Sequence, residues 1–277
     1  MKDFKGKVVV ITGGSTGIGF SFAKQFGREG AKIIICGLRE NRIDEALSAL
    51  KASGIEARGA VCDVSKREDV ETFADFAWDA FGSVDAVMSN AGVMAVGRTV
   101  IGSTKEDFMK IFDVNVFGVL NVVSVFGKRL IEQGTPAALY NVGSENSLFN
   151  GVPFAAPYVA SKHAVLALTE SLKEEVPDYI EVGLICPGFV QSELGGDEAR
   201  ETMSQAMDTD RFTSVAMKQI KQGEFYIVSH AYNVVRIDER YKKVKKAYEH
   251  YAPRYDGDDE FDVRTLFNRM AEGGNSK

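Results

Sequence analysis

Short apolar runs alternate along this chain with longer stretches of mixed apolar and polar residues. The apolar runs lie at 8–12, 32–37, 57–64, 85–89, 137–144, 181–187 and 225–228. Most are nearly uninterrupted, as expected of strands covered on both faces. Segments 18–30, 40–53, 66–81, 104–133 and 158–176 have the length of helices. Alternating β and α elements predict a parallel, doubly wound sheet with right-handed crossovers. The expected fold is a three-layer α/β domain on seven parallel strands, with residues 1–277 forming one domain. Region 189–222 departs from the pattern, with Gly195-Gly196, a polar stretch, and Met203, Met207 and Met217. It follows the sixth strand, on the carboxyl edge where such sheets bind ligands. That position favours a mobile substrate lid over a plain surface insertion. Beyond it, 232–251 reads as a charged helix and 256–277 as a flexible tail.

Composition narrows the function. A net charge of -6 argues against a general nucleic-acid binder, which needs a basic face. No uninterrupted apolar run reaches about 18 residues, so no membrane span is expected. The polar start, 1–7, is unlike a signal peptide, and a cytoplasmic location is expected. Cys36, Cys62 and Cys186 form no Cys-x-x-Cys pair and are expected as buried thiols. His163, His230 and His250 are widely separated, so no metal is expected, which counts against a zinc-dependent alcohol dehydrogenase.

The first strand runs directly into Gly13-Gly14-Ser15-Thr16-Gly17-Ile18-Gly19 and then a helix. Glycines allow a tight turn and close approach of backbone to a pyrophosphate. The helix start adds free N–H groups and a positive dipole end. With Thr12, the G-x-x-x-G-x-G spacing resembles the cofactor motif of the short-chain dehydrogenase/reductase family, in its compact, single-domain, Rossmann-like branch. Further matches follow in order. Asp63-Val64 resembles the segment that meets the adenine ring. Asn90-Ala91-Gly92 resembles the turn lining the adenosine side, although Ser89 replaces the usual preceding asparagine. Asn115 matches the catalytic asparagine, and Pro187-Gly188-x-Val190 the turn facing the nicotinamide. The resemblance is close from about Lys5 to Gln191 and weaker beyond.

Tyr158-Val159-Ala160-Ser161-Lys162 is the strongest chemical signal. Residues four apart share a helix face, so the Lys162 ammonium is expected near the Tyr158 hydroxyl. A nearby cation favours the phenolate and would lower the tyrosine pKa, fitting Tyr158 as general acid or base. By resemblance, Ser144 hydrogen-bonds the reacting oxygen, and it is favoured over Ser147 because strand ends place side chains more reproducibly than loops. The resemblance also gives Asn115 a water linking Lys162 to solvent, and Lys162 the nicotinamide ribose. His163 is expected to be a bystander.

The implied reaction is hydride transfer between a nicotinamide and a secondary alcohol or ketone carbon. NADP(H) is favoured over NAD(H). Gly37 stands where NAD-preferring relatives carry an acid, and Arg39, with Arg42, can pair a 2′-phosphate. Met94, Glu145, Phe154 and Phe189 are the expected pocket residues, with Phe149, Val152 and Pro153 nearby. A bulky hydrophobic alcohol or ketone follows from that lining. Two rivals stand beside this reading. A sugar-nucleotide epimerase or dehydratase would need a larger C-terminal domain and different glycine spacing. A non-enzymatic NADP(H) sensor on the same fold would be expected to carry a degraded site. A homodimer or homotetramer is implied by resemblance.

Overall fold

The computed structural model describes residues 1–95, 97, 99–194, 200–252 and 254–274. Seven strands form one parallel sheet in the order β3-β2-β1-β4-β5-β6-β7. They are β1 Val8–Thr12, β2 Lys32–Gly37, β3 Ala57–Val61, β4 Ala86–Ser89, β5 Ala137–Val142, β6 Ile180–Cys186 and β7 Tyr226–Val228. The helices are α1 Gly17–Arg28, α2 Glu40–Ala52, α3 Arg67–Phe81, α4 Lys105–Phe112, α5 Gly118–Gln133, α6 Ala156–Glu175, α7 Arg200–Met203, α8 Thr209–Gln222, α9 Val234–Tyr251 and α10 Val263–Gly274. The sheet and α1–α8 lie in a compact unit, Met1–Ala231. Tyr232–Lys277 forms a second unit, carrying α9 and α10. The segment expected as a flexible tail therefore contains a helix, α10.

Side-chain alternation along the strands builds one core on each sheet face. Val9, Ile11, Ile33 and Ile35 pack with Phe22 and Phe26 of α1, Leu50 of α2 and Phe212 of α8. Val8, Val10 and Ile34 point the other way, toward Phe73 of α3 and Phe126 of α5. This two-sided burial explains why the strand runs are apolar throughout rather than alternating.

Three local differences from the sequence reading matter. The expected helix 104–133 is two helices joined by a π-helical turn, Asp113–Phe117. That whole stretch is long and apolar enough, by composition, to cross a membrane. Much of its apolar surface is nevertheless used on the sheet, because Val122, Val125, Phe126 and Leu130 are core residues. The region expected as a lid, 189–222, also contains core structure. Residues 189–191 pair with Met207, while α8 is a core helix that buries Phe212, Met217 and Ile220. Met217 is thus a packing residue rather than a pocket wall. Gly195-Gly196 lie outside the described residues. Strands β3 and β5 end earlier than expected, leaving Asp63, Val64 and Ser144 on the following turns.

Phe126 is fully buried, with its ring centroid 6.0 Å from that of Phe73 and 5.7 Å from that of Trp78. Phe126→Ala is expected to destabilise the protein by about 3–5 kcal/mol. Urea unfolding checks this; a loss below roughly 1 kcal/mol would contradict the assigned packing.

Candidate active site

The carboxyl ends of β1, β4, β5 and β6 lie side by side and supply most candidate residues. After β1, Gly13 and Gly17 adopt φ of +62° and +54°, a region that side chains rarely enter. At Gly19 a Cβ would run into the Gly13 carbonyl and the Asn90 amide. The turn therefore folds tightly onto the β4 end. Thr16 caps α1 without a side-chain hydrogen bond, so no cap side chain covers the helix start that follows Ser15 and Thr16 and includes Ile18.

Asn90 ties the turns together. Its Nδ2 donates to the carbonyls of Thr12 (2.9 Å) and Gly13 (3.1 Å). Thr12 Oγ1 accepts from the amides of Asn90 and Ala91. Gly92 follows, between the Asn115 side chain and the Lys162 ammonium. Asn115 is buried in the π-helical turn. Its Oδ1 accepts from Val93 N at 2.8 Å, and its Nδ2 donates to Val93 O at 2.9 Å and to Ser161 Oγ at 3.0 Å. Both amide hydrogens are committed, so the side chain has no donor left for the expected water. Ser161 in turn donates to Tyr158 O at 2.7 Å. The asparagine thus reaches the tyrosine's own helix through one hydroxyl.

Ser144, Tyr158 and Lys162 are brought together and buried, at 6%, 7% and 5% exposure. Lys162 Nζ donates to Val142 O at 2.9 Å and lies 5.8 Å from the centroid of the Tyr158 ring. Ser144 Oγ accepts from Asn146 N (3.1 Å) and Nδ2 (3.3 Å), and its own hydrogen is directed to the Tyr158 hydroxyl. Ser147 is differently engaged. Its hydroxyl donates to Lys162 O at 2.7 Å and accepts from Ser144 N at 3.2 Å. Ser147 has therefore used its donor on the backbone, and Ser144 has not. His163 contacts Val159 O on its own helix at 3.0 Å.

The electrostatics differ from the sequence expectation. Burial pushes the Tyr158 phenol above its ordinary value; the nearby Ser144 hydroxyl pulls it back in part, and the Glu145 charge raises it further. The lowering expected from Lys162 is absent. Burial also lowers Lys162 to about 8, partly opposed by Cys186.

Glu145 N donates to Pro187 O at 2.8 Å, fastening the β5 turn to the β6 turn. A Cβ at Gly188 would meet both the Glu145 carboxylate and the His230 ring. Sequence reasoning placed Glu145 in the pocket but missed His230, which follows β7 and is remote in the chain. Val190 is buried, and Met94 is half-buried. Phe154 and Phe189, expected as pocket walls, are 61% and 38% exposed. Both rings are exposed to solvent. Phe154 also holds a φ of +57°, a strained conformation for a side-chain-bearing residue.

On the other side, Gly37 faces Ser15, with Oγ 3.1 Å from the position of a Cβ. Arg39 and Arg42 both bind Glu193, at 2.9 and 3.2 Å. Asp63 Oδ1 accepts from Ser65 N and Oγ, forming a local turn. Val64 packs on Gly118 of α5. Among the described residues, no group of three or more His, Cys, Asp or Glu side chains could hold a metal ion.

The short chain dehydrogenase family model matches residues 7–203. The chain belongs to the short chain dehydrogenase family. The enzyme is 37% identical over 196 residues to the C alpha-dehydrogenase of Sphingobium sp. strain SYK-6. That match spans 70% of this chain and 64%, just under two thirds, of the relative. A short-chain dehydrogenase/reductase from Burkholderia phymatum, solved in complex with NAD, superposes with a TM-score of 0.82 at 29% identity. It covers 89% of this dehydrogenase and 96% of its own chain. LigO in its apo form, from Sphingobium sp. strain SYK-6, gives a TM-score of 0.83 at 27% identity, covering 97% and 98% of the two chains. This family member is therefore an oxidoreductase on an NAD(P)-binding fold.

The lowered Lys162 has a measurable consequence. Below pH 8 it is protonated in both folded and unfolded chains, and its burial penalty is present in full. Between about 8 and its ordinary 10.5, the folded protein has released a proton that the unfolded chain keeps, so stability rises with pH. Relative to Lys162→Met, the wild type is expected to gain roughly 2 kcal/mol between about pH 7 and 9.5. Urea unfolding at both pH values tests this; a constant difference would contradict the assignment.

Proposed function

We propose that this dehydrogenase moves a hydride between NADP(H) and a secondary alcohol or ketone carbon on a bulky, largely hydrophobic substrate. The observation that carries the proposal is the buried cluster of Ser144, Tyr158 and Lys162 beside the Pro187-Gly188 turn. The nicotinamide supplies or accepts the hydride when bound. Ser144, held by Asn146 and hydrogen-bonded to Tyr158, would turn its hydrogen to the substrate oxygen. Tyr158 gives that oxygen a proton in reduction and takes it back in oxidation. A tyrosine raised by burial suits the acid role, because its neutral form is the stable one. Lys162 supplies positive charge beside the phenol and reaches the nicotinamide ribose. Asn115 acts as a positioning residue, setting the Val93 turn and, through Ser161, the first turns of α6.

The remaining assignments follow the same edge. Gly13 to Gly19 would receive the pyrophosphate, with Asp63, Val64 and the Asn90-Ala91-Gly92 turn on the adenosine side. Pro187, Gly188 and Val190 would face the nicotinamide. NADP(H) is preferred over NAD(H) because Gly37 offers no carboxylate to a ribose 2′-OH, while Arg39 and Arg42 already hold an anion, Glu193. Met94, Glu145, Phe154 and Phe189 would contact substrate. Self-association as a homodimer or homotetramer belongs to the same proposal, supported by Phe117 and Leu120, each 42% exposed.

Tyr158→Phe is expected to lower kcat for a hydrophobic ketone by about 100-fold or more while leaving NADPH affinity within a fewfold range. Stopped-flow turnover and fluorescence titration measure the two. Unchanged kcat would remove Tyr158 from the mechanism. Binding with no turnover by the wild type across a broad substrate set would favour a sensor. Tighter NADH than NADPH binding would overturn the cofactor preference alone.

A further inference from the structure

Arg39 and Arg42 project from the start of α2, beside the end of β2. Arg39 Nη2 donates to Glu193 Oε2 at 2.9 Å, and Arg42 Nη2 to Glu193 Oε1 at 3.2 Å. One carboxylate thus bridges two guanidinium groups remote from it in sequence. Glu193 belongs to the segment that follows the β6 turn, and its neighbour Ser192 lies over the glycine turn. Ser192 Cα is 3.8 Å from the position a Cβ would take on Gly17. Leu194 N donates to Ser192 Oγ at 3.3 Å, a local turn that presents Glu193 toward the arginines. Arg42 also bonds Glu45 at 3.2 Å.

We infer that Glu193 is an internal occupant of the 2′-phosphate site, and that NADP(H) must displace it whereas NAD(H) need not. The inference rests on the proposed NADP(H) reading of Arg39 and Arg42. A carboxylate brings one negative charge to the pair, and a phosphate monoester brings about 1.5 to 2 near neutral pH with three acceptor oxygens. The phosphate therefore wins the arginines when it is present. Until then, Glu193 neutralises them and holds Ser192–Leu194 across the glycine turn. A ligand without the 2′-phosphate leaves the bridge in place. Cofactor choice and the position of this strap are then one equilibrium, since a ligand shifts a conformation only through its differential affinity. The pairs are exposed, at 57% for Arg39, 39% for Arg42 and 49% for Glu193, so the competition is modest and screened by salt.

The experiment uses two fragments of the cofactor rather than turnover. Calorimetry measures binding of adenosine 2′,5′-bisphosphate and adenosine 5′-monophosphate to the wild type, Glu193→Gln and Arg39→Ala at low salt. Glu193→Gln is expected to tighten the bisphosphate about threefold to tenfold, leave the monophosphate within about twofold, and lose most of this effect at high salt. Amide hydrogen exchange on the wild type gives a second readout. The bisphosphate should speed exchange at Ser192–Leu194, and the monophosphate should not. Weaker binding of either fragment to Glu193→Gln, or an unchanged ratio between them, would overturn the inference. If Arg39→Ala weakens the bisphosphate while Glu193→Gln changes nothing, the occupant idea fails and the NADP(H) reading survives. If the wild type binds both fragments equally and Arg39→Ala has no effect, the NADP(H) reading fails and takes the inference with it.

Discussion

The parallel hydrogen-bond ladder through β1, β4, β5 and β6 brings four strand ends to one edge, and most candidate residues are placed from that edge. Ala86, Val87 and Met88 register with Val9, Val10 and Ile11, so the Asn90 turn arrives beside the glycine turn. Asn141 and Val142 register with Leu184 and Ile185, so the Ser144 turn arrives beside Pro187. Side-chain and backbone ties then join adjacent turns: Asn90 to Thr12 and Gly13, and Glu145 N to Pro187 O. A one-residue slip between β1 and β4, or between β5 and β6, would move these partners apart and turn apolar side chains to the wrong face. Position at this site is thus a property of the sheet before it is a property of any side chain.

Burial at that edge sets the chemistry. Tyr158 and Lys162 are both removed from water, and removal disfavours the charged form of each. The tyrosine rises and the lysine falls, so the pair moves toward neutral forms. Holding an ammonium there costs stability, and its bond to Val142 O offsets only part of that cost. The chain tolerates the cost where the proposed reaction uses it. The strained, exposed Phe154 stands on the loop just before α6.

Much of the fold was legible in the sequence because burial on both faces leaves a simple trace. The runs at 8–12 and 32–37 are strands with those boundaries. Asn115, Ser144, Tyr158 and Lys162 were legible through motif spacing, and the structure gathers them around one turn of α6. What stayed hidden depended on contacts between remote segments. The π-helical turn at Asp113–Phe117 has no period of its own in a continuous apolar helix. The distinction between Ser144 and Ser147 required knowing which hydroxyl meets Lys162 O. Glu193 sits in a polar stretch without periodicity, and only the folded chain brings it to Arg39 and Arg42. Met217 looked like a pocket residue because composition cannot tell a flexible wall from a core filler. The direction of the Tyr158 shift needed burial and the Glu145 charge, neither of which follows from a helical spacing of four.

The central claim is hydride transfer at this edge, and isotope transfer tests it most directly. The protein would be incubated with a hydrophobic ketone and NADPH deuterated at either face of nicotinamide C4. Mass spectrometry of the alcohol product would locate the label. The account predicts one deuterium on the carbinol carbon from one cofactor face only, with none acquired from deuterated water at that carbon. Product whose carbinol hydrogen comes from solvent, or label retained in full by both cofactor samples while alcohol forms, would contradict it.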